Sequence, residues 1–202
     1  MDYSYSDGVI HLTKVLNVVD EFVLDFLALL KSEKITYVIM SGYVILLFGR
    51  PRITEDVDMF IQDLSESKLE SLYATFQKKY WIINASTFEM FHLLYSENSA
   101  WRVAQKDEIA PNMEIKRPKD KFGVLSLTSP IKVVLNNRYE LFISPLEIQL
   151  AYKLFLGSKK DLEDARYLFD IVKNDIDKSV LRSFAYELGV SNKLPYLGDP
   201  FG

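Results

Sequence analysis

The feature that most constrains the fold is a pair of apolar runs within residues 37–61, joined through a serine-glycine turn and a short basic segment. The first run ends at Ser41 and Gly42, and the second opens with Asp56 and Asp58. Alternate residues of a strand face the same side and each residue rises about 3.3 Å, so these two carboxylates project together from one face, with Cα atoms roughly 7 Å apart. The opposite face then buries Val57, Met59 and Ile61.

A pair of carboxylates at this spacing is suited to divalent metal ions. Asp56 and Asp58 can bridge two ions roughly 3.5 to 4 Å apart, the arrangement used by two-metal phosphoryl-transfer sites. Hard oxygen ligands favour Mg²⁺ or Mn²⁺. The turn at Ser41 and Gly42 adds a small corner at which backbone N–H groups and a helix N-terminus can approach a phosphate. Both halves of a nucleoside triphosphate site are therefore predicted.

The whole string resembles the nucleotidyltransferase superfamily of the DNA polymerase β type. It is most similar to the small prokaryotic branch with the abortive-infection (AbiE-type) toxin nucleotidyltransferases. Ser41 replaces the usual first glycine and Val44 a usual small residue. The matching positions are Gly42, Gly49, Arg52, Thr54, Asp56 and Asp58. The resemblance implies an α/β (α+β) fold: a mixed-sheet polymerase β-like core with flanking helices and a C-terminal helical appendage.

This resemblance also implies a third carboxylate on a neighbouring strand, which shares the catalytic metal and assists deprotonation of the attacking hydroxyl. Glu114 is the best candidate, although aspartate is usual there, and Asp107 and Glu108 are alternatives. The expected metal ligands are thus Asp56, Asp58 and Glu114. Arg52 and Thr54 lie close enough to hold phosphate oxygens or to orient Asp56, and the alternative is that they serve only the turn.

A second part of the resemblance lies after the predicted sheet, where E-x(5)-K is followed by K-D-x-x-D. In relatives the lysine of the first helix contacts the triphosphate and an acid at the next helix start completes the site. These roles fall on Lys153 and Asp161. Ser158 stands where an arginine is usual, and Asp161 with Asp164 is equally well explained as a helix cap.

The remaining pattern predicts a nucleotidyltransferase domain over 1–143 and a helical region with a tail, packed on it, over 144–202. Helices are expected over 15–30, 43–48, 66–79 and 144–157, with two more beginning near 161 and 175. Strands are expected over 36–40, 56–61, 80–83, 112–116 and 140–143. Residues 1–12 carry little pattern, 86–104 fit either a helix or a strand, and the last dozen residues are expected to be extended.

The amino-acid composition excludes several classes of functional site. There are no cysteines, so thiol nucleophiles, disulfides and thiolate zinc sites are excluded. The net charge of −4 gives no global basic field for nucleic acid. Basic residues 106–121 form either a solvated loop or an electrostatic guide for a polyanion. Apolar runs too short to span a membrane and a polar start predict a cytoplasmic protein.

Two functions remain open. In the first, the protein is a metal-dependent nucleotidyltransferase that uses an NTP and releases pyrophosphate, with tRNA, another RNA or a partner protein as acceptor and with a toxin–antitoxin role that implies a cognate antitoxin. In the second, it is a non-catalytic module that binds nucleotide or a partner.

Overall fold

A computed structural model describes residues 1–51 and 54–198. Its centre is a mixed sheet with the strand order β1-β2-β8-β9-β3-β4-β7-β6-β5. The strands are β1 (Asp2–Ser6), β2 (Val9–Thr13), β3 (Tyr37–Ile39), β4 (Asp56–Ile61), β5 (Tyr80–Ile82), β6 (Trp101–Gln105), β7 (Asn112–Lys116), β8 (Ile131–Leu135) and β9 (Tyr139–Ile143).

Helices cover the sheet and build the C-terminal part. They are α1 (Val18–Ser32), α2 (Gly42–Leu47), α3 (Glu66–Lys79), α4 (Phe88–Ser96), α5 (Lys121–Thr128), α6 (Leu146–Leu156), α7 (Lys159–Val172) and α8 (Lys178–Glu187), and Ser191–Leu197 forms a 3₁₀ helix. Within the described residues, none of the helices is both long and apolar enough to cross a membrane.

The middle of the sheet positions the two aspartates. β4 pairs antiparallel with β3 and parallel with β7. Its residues alternate between partly exposed and buried, beginning with a partly exposed Asp56. Val57, Met59 and Ile61 are at most 1% exposed, which confirms the predicted buried face. Asp56 and Asp58 therefore lie on the opposite face, and burial of the three apolar residues fixes this register because a slip of one residue would reverse it.

The C-terminal helices share a buried apolar cluster with the sheet. Polar contacts add to this packing: the Tyr167 hydroxyl of α7 donates to the Phe48 carbonyl, and the Tyr3 hydroxyl of β1 donates to Asp175. The predicted boundary between 143 and 144 coincides with the end of β9, and the division into a domain and an appendage stays a prediction.

Most of the predicted helices and strands are confirmed, although their first and last residues differ from the predicted ones. The first helix begins three residues later than predicted, after Asn17, whose side chain caps it. Residues 86–104 contain both a helix, α4, and a strand, β6. The extended tail is wrong, because 191–197 is a 3₁₀ helix that buries Leu194 and Leu197. Three elements were not predicted: the β1–β2 hairpin, helix α5 and strand β8.

Candidate active site

Three carboxylates lie close together on one face of the sheet and are named here the acidic cluster: Asp56, Asp58 and Glu114. β4 and β7 run parallel with Asp58 directly opposite Glu114, so strand pairing itself juxtaposes them. The side chains are partly open, 45%, 24% and 28% exposed respectively. The third carboxylate predicted on a neighbouring strand is thus next to the pair. Asp107 and Glu108 instead follow the end of β6.

Cations from β6 and β7 contact the acidic cluster. Arg102 Nη2 donates to Asp56 Oδ1 at 3.0 Å, and Arg102 Nε lies 3.6 Å from Glu114 Oε1. Lys116 Nζ donates to Asp58 Oδ1 at 3.3 Å. These two cations partly neutralise three acids, so the cluster keeps an excess of negative charge.

The pKa of Glu114 reflects the excess negative charge of the acidic cluster. Burial raises the pKa of the Glu114 carboxyl above its ordinary value, and repulsion by Asp58 and Asp56 raises it further. Lys116 and Arg102 act in the opposite direction without cancelling the increase. A carboxyl with a raised pKa beside two other acids is typical of a functional site.

The donor chemistry of the acidic cluster fits a hard divalent cation, whereas the side-chain arrangement is not that of a formed metal site. Across residues 1–51 and 54–198, no group of three or more His, Cys, Asp or Glu side chains has metal-site geometry. Arg102 and Lys116 occupy oxygens that a metal would need. A metal would have to displace these contacts in order to bind Asp56, Asp58 and Glu114.

The serine-glycine corner lies next to the acidic cluster. The Met40 amide donates to the Asp58 carbonyl at 3.0 Å, which ties the end of β3 to the middle of β4. Ser41 has φ 61° and ψ −130°, in the left-handed half of backbone space that favours glycine. The serine thus keeps the glycine-type conformation at the position where the resemblance has glycine.

A polar cavity of about 330 Å³ joins the corner to the carboxylates and is named here the phosphate-side cavity. Its lining residues are Ser41, Gly42, Thr54, Glu55, Asp56, Asp58 and Lys160. The predicted corner and two of the predicted acids, Asp56 and Asp58, therefore converge on one space, which Glu114 does not line. The Thr54 hydroxyl donates to the Asp56 carbonyl at 3.0 Å, a turn contact, while Arg52 lies outside the described residues.

A second cavity, of about 550 Å³, lies on the other side of Asp58 and is named here the α5–α6 cavity. It shares Ser41 and Asp58 with the phosphate-side cavity and extends beneath helices α5 and α6. Lys116 and Lys119, from the basic stretch of the sequence, also line it. Arg117 lines the cavity as well and also pairs with Asp63, whereas Lys121 pairs with Glu187.

Lys153 and Asp161, the two residues predicted from the C-terminal pattern, contact each other. Lys153 Nζ donates to Asp161 Oδ1 at 2.8 Å and to Asp164 Oδ2 at 3.0 Å, and the lysine side chain is only 5% exposed. Burial raises the pKa of Asp161, but hydrogen bonds from Lys153 and Ser158 outweigh it, so the net shift is downward. Ser158, and not Asp161, is the N-cap of α7.

Several residues at the site were missed in the sequence: Arg102, Asn112, Gln149 and Lys160. Lys160 is the lysine of the K-D-x-x-D pattern, and Asn112 had a local signal. In β7 the side chains at 112, 114 and 116 share a face, so a strand that presents Glu114 also presents Asn112, whose Nδ2 donates to Asp56 Oδ1 at 2.7 Å. Arg102 directly opposes Glu114 in the antiparallel pair β6–β7, which the sequence predicted too vaguely to align.

Comparison with solved structures identifies the fold. No protein-family model matches the sequence, and no curated protein matches it significantly. An antigenic nucleotidyltransferase-like protein from Paracoccidioides brasiliensis is similar over 89% of this chain and 90% of its own, with a TM-score of 0.53 and 19% identity. This chain has a nucleotidyltransferase-like fold.

Two further solved structures share this fold. The resistance factor ANT(2'')-Ia is similar over 85% of this chain and 92% of its own, with a TM-score of 0.54 and 10% identity. The lincosamide antibiotic adenylyltransferase LnuA, solved with lincomycin bound, is similar over 77% of this chain and 99% of its own, with a TM-score of 0.53 and 14% identity. At these identities the likeness concerns the fold alone, and the similarity to the abortive-infection toxins stays a prediction.

Proposed function

We propose that this protein is a nucleotidyltransferase that moves a nucleoside monophosphate from an NTP to an acceptor hydroxyl. One observation carries the proposal: Asp56 and Asp58 of the acidic cluster line a cavity that the serine-glycine corner also lines. These two acids, with Glu114 opposite Asp58 on the neighbouring strand, suit a magnesium-bound triphosphate, and the nucleotidyltransferase-like fold supports the same activity.

The reaction follows from this arrangement. The acceptor oxygen attacks the α-phosphorus, the bond from that phosphorus to the bridging oxygen of the β-phosphate breaks, and pyrophosphate leaves. Glu114, directly opposite Asp58 on the neighbouring strand, takes the proton of the hydroxyl. Ser41 and Gly42 hold the phosphates, with Thr54, Lys153 and Arg52 as further candidates. Mg²⁺ or Mn²⁺ held by Asp56, Asp58 and Glu114 would neutralise charge on the phosphates.

The acceptor belongs to the proposal as well. The resemblance to abortive-infection toxins favours RNA, above all tRNA, or a partner protein, and it implies a cognate antitoxin. On this account, expression of the wild-type chain slows cell growth and the Asp58→Asn variant does not. Unchanged growth with both would remove the toxin role and leave the transferase role standing.

A second candidate function has one observation in its favour. Arg102 and Lys116 already pair with the acidic cluster, and no metal geometry is formed among the described residues. Such a cluster suits a module that binds a nucleotide or a partner without turnover.

Labelled transfer separates the two functions. The protein is incubated with Mg²⁺ and each α-³²P-labelled NTP, with total RNA or cell lysate as acceptor. We expect label in one acceptor class and a loss of at least about a hundredfold in Asp58→Asn, the scale on which one transition-state contact acts. The matched control is Asp63→Asn, at a side chain 84% exposed beyond the end of β4, which should retain full activity. Nucleotide binding without transfer would favour the module.

A further inference from the structure

A basic groove lies on a part of the surface that the proposed chemistry does not use. It has a volume of about 700 Å³, runs between helix α1 and strand β9, and is named here the α1–β9 groove. Among the described residues, it shares no lining residue with the phosphate-side cavity or the α5–α6 cavity. Ligand sites typically have volumes of about 300 to 1,000 Å³, so the groove has room for a ligand of its own.

Three cations line the α1–β9 groove: Lys31, Lys34 and Arg138. All three residues are exposed. Glu140 is the only acid among the described lining residues, and its carboxylate pairs with Lys132, which does not line the groove. Lys31 attracts Glu140 more weakly than Lys132 does. The lining of the groove therefore keeps an excess of positive charge, although the whole chain has a net charge of −4.

The helix dipole accounts for only part of this charge. Lys31 lies in the last turn of α1, where a cation stabilises the helix C-terminus, and Lys34 follows that end. Arg138 comes from a separate segment, the turn before β9, and its guanidinium lies over the Tyr139 ring, 4.9 Å from the ring centroid. Two segments that are distant in sequence thus bring cations to the same groove.

Aromatic rings lie beside these cations. Tyr37, Tyr139 and Phe142 line the groove. Phe142 is 36% exposed, and the buried Tyr37 meets its ring edge to face with centroids 6.0 Å apart, which holds the Phe142 ring in place. Rings next to cations suit a single nucleic-acid strand, because bases stack on aromatic rings and phosphates attract Lys and Arg.

The combination of rings and cations distinguishes RNA from other anionic partners. An acidic peptide segment would pair with the cations, but its carboxylates make no use of exposed aromatic rings. A double helix keeps the faces of its bases inside the stack, so only a single-stranded segment can place bases on Tyr139 and Phe142.

We propose that the α1–β9 groove binds a single-stranded segment of RNA, with its phosphates on the three cations and its bases stacked on Tyr139 and Phe142. That this RNA is the acceptor of the transfer reaction rests on the proposed function, whereas its binding does not. On this account the groove holds one part of the acceptor while the acceptor hydroxyl lies at the acidic cluster.

The test measures binding of 5′-fluorescein-labelled decauridylate, without NTP, by fluorescence anisotropy over a range of NaCl concentrations. For the wild type, three phosphate contacts predict a slope of about −2 for the logarithm of the association constant against that of the salt concentration. Lys31→Gln and Arg138→Gln should each weaken binding about threefold to tenfold and make the slope shallower by about 0.7. Lys173→Gln, at an exposed lysine that also ends a helix, is the matched control and should change neither.

A second pair of variants tests stacking separately from charge. Phe142→Leu keeps an apolar side chain but removes the ring, so the affinity should fall about fivefold while the salt slope stays unchanged. Tyr186→Leu removes a ring that is 79% exposed on α8 and should change neither. Thermal unfolding checks that each variant is folded, and the exposed lysine and arginine positions test the groove independently of Phe142.

Competition identifies the chemistry of the ligand. Unlabelled decauridylate should displace the labelled strand at a concentration at least about tenfold lower than decaglutamate does. Equal displacement by the two would overturn RNA in favour of an acidic peptide. A wild-type protein that does not bind decauridylate, or equal effects of Lys31→Gln and Lys173→Gln, would overturn the role of the groove.

Failure of this inference is distinguishable from failure of the proposed function. Asp58→Asn should bind decauridylate as the wild type does. Binding through the groove without label transfer to any acceptor would overturn the proposed function and leave the groove as an RNA site. Label transfer to RNA that Lys31→Gln and Arg138→Gln leave unchanged, together with unchanged binding, would overturn the role of the groove and leave the transferase intact.

Discussion

The acidic cluster and the ion-pair network between α6 and α7 are built from the same kinds of side chain and differ in their surroundings. In the network, Lys153 pairs with Asp161 and Asp164, and the side chains of Lys153 and Asp164 are at most 5% exposed. In the acidic cluster all three carboxylates are at least 24% exposed and two of them line cavities. Lys153 also borders the α5–α6 cavity, but its ammonium group is held between Asp161 and Asp164. The charges of the network therefore hold two helices together, whereas Asp56 and Asp58 face a cavity and remain available to a ligand.

The largest expected effect is a loss of stability when the buried lysine of the ion-pair network is replaced. Lys153→Met removes one of two cations that pair with the buried Asp164, the other being Arg50, so the free energy of unfolding should fall by about 2 kcal/mol, measured by urea denaturation. Lys159→Met, at the exposed start of α7, is the control and should change it by less than about 0.5 kcal/mol. A small stability change combined with lost NTP affinity would instead assign Lys153 to the triphosphate.

A smaller effect is expected when a cation is removed from the acidic cluster. Arg102 competes with any metal for Asp56 and Glu114, so Arg102→Gln should tighten Mn²⁺ binding about fivefold to tenfold, as measured by electron paramagnetic resonance. Lys132→Gln, which removes the partner of Glu140 on the distant β8–β9 pair, should leave it unchanged. Weaker Mn²⁺ binding in Arg102→Gln would mean that the arginine organises the cluster and does not compete for it.

The third prediction concerns pH. Burial and the two aspartates raise the pKa of Glu114, so the folded protein retains a proton that the unfolded chain has released, and this group lowers stability as the pH rises through that interval. Glu114→Gln should therefore raise the melting temperature at pH 7 in EDTA. This increase in melting temperature should disappear below pH 4.5, the ordinary pKa of a glutamate side chain.

Glu140→Gln is the control of opposite sign. The hydrogen bond and charge of Lys132 lower the pKa of Glu140, so its removal should destabilise the protein slightly at pH 7 and not at low pH. Equal responses of the two variants would contradict the repulsion assigned to the acidic cluster.

The smallest effect is expected at the serine-glycine corner. Ser41 holds a glycine-type backbone conformation, and the strain of such a residue is of order 1 kcal/mol. Ser41→Gly should raise the free energy of unfolding by about 0.5 kcal/mol, after the greater entropy loss of glycine on folding, as measured by urea denaturation. Ser41→Ala keeps the strain and should bring no gain, so a gain in alanine would point to the hydroxyl and not to the backbone.

The sequence predicts the centre of this fold better than its borders. Alternation in 56–61 and the short apolar segment after Gly42 are local patterns, and both are confirmed. The β1–β2 hairpin was missed although its signal is local too: Asp7 and Gly8 form a two-residue turn, both with positive φ, as such hairpins favour. Helix α5 likewise had a cap signal in Asp120, whose side chain accepts from the Gly123 amide.

The site could be predicted only in part, for a physical reason. Residues two apart in one strand share a face whatever the tertiary structure, so Asp56 and Asp58 could be paired from sequence. Contacts across strands depend on register, and Arg102 reaches Asp56 across 46 positions of sequence. Gln149 contacts Ser41 across 108 positions of sequence, and no local sequence pattern predicts such a contact.

Magnesium-dependent nucleotide binding tests the central claim most directly, because it requires no knowledge of the acceptor. Calorimetry with non-hydrolysable α,β-methylene analogues of the four NTPs should show tight binding of at least one analogue with Mg²⁺. EDTA or Asp58→Asn should weaken this binding by at least about tenfold, whereas Asp63→Asn should not. Equal affinity with and without Mg²⁺, in the wild type and in Asp58→Asn alike, would contradict the assignment of Asp56, Asp58 and Glu114 to a metal–triphosphate site.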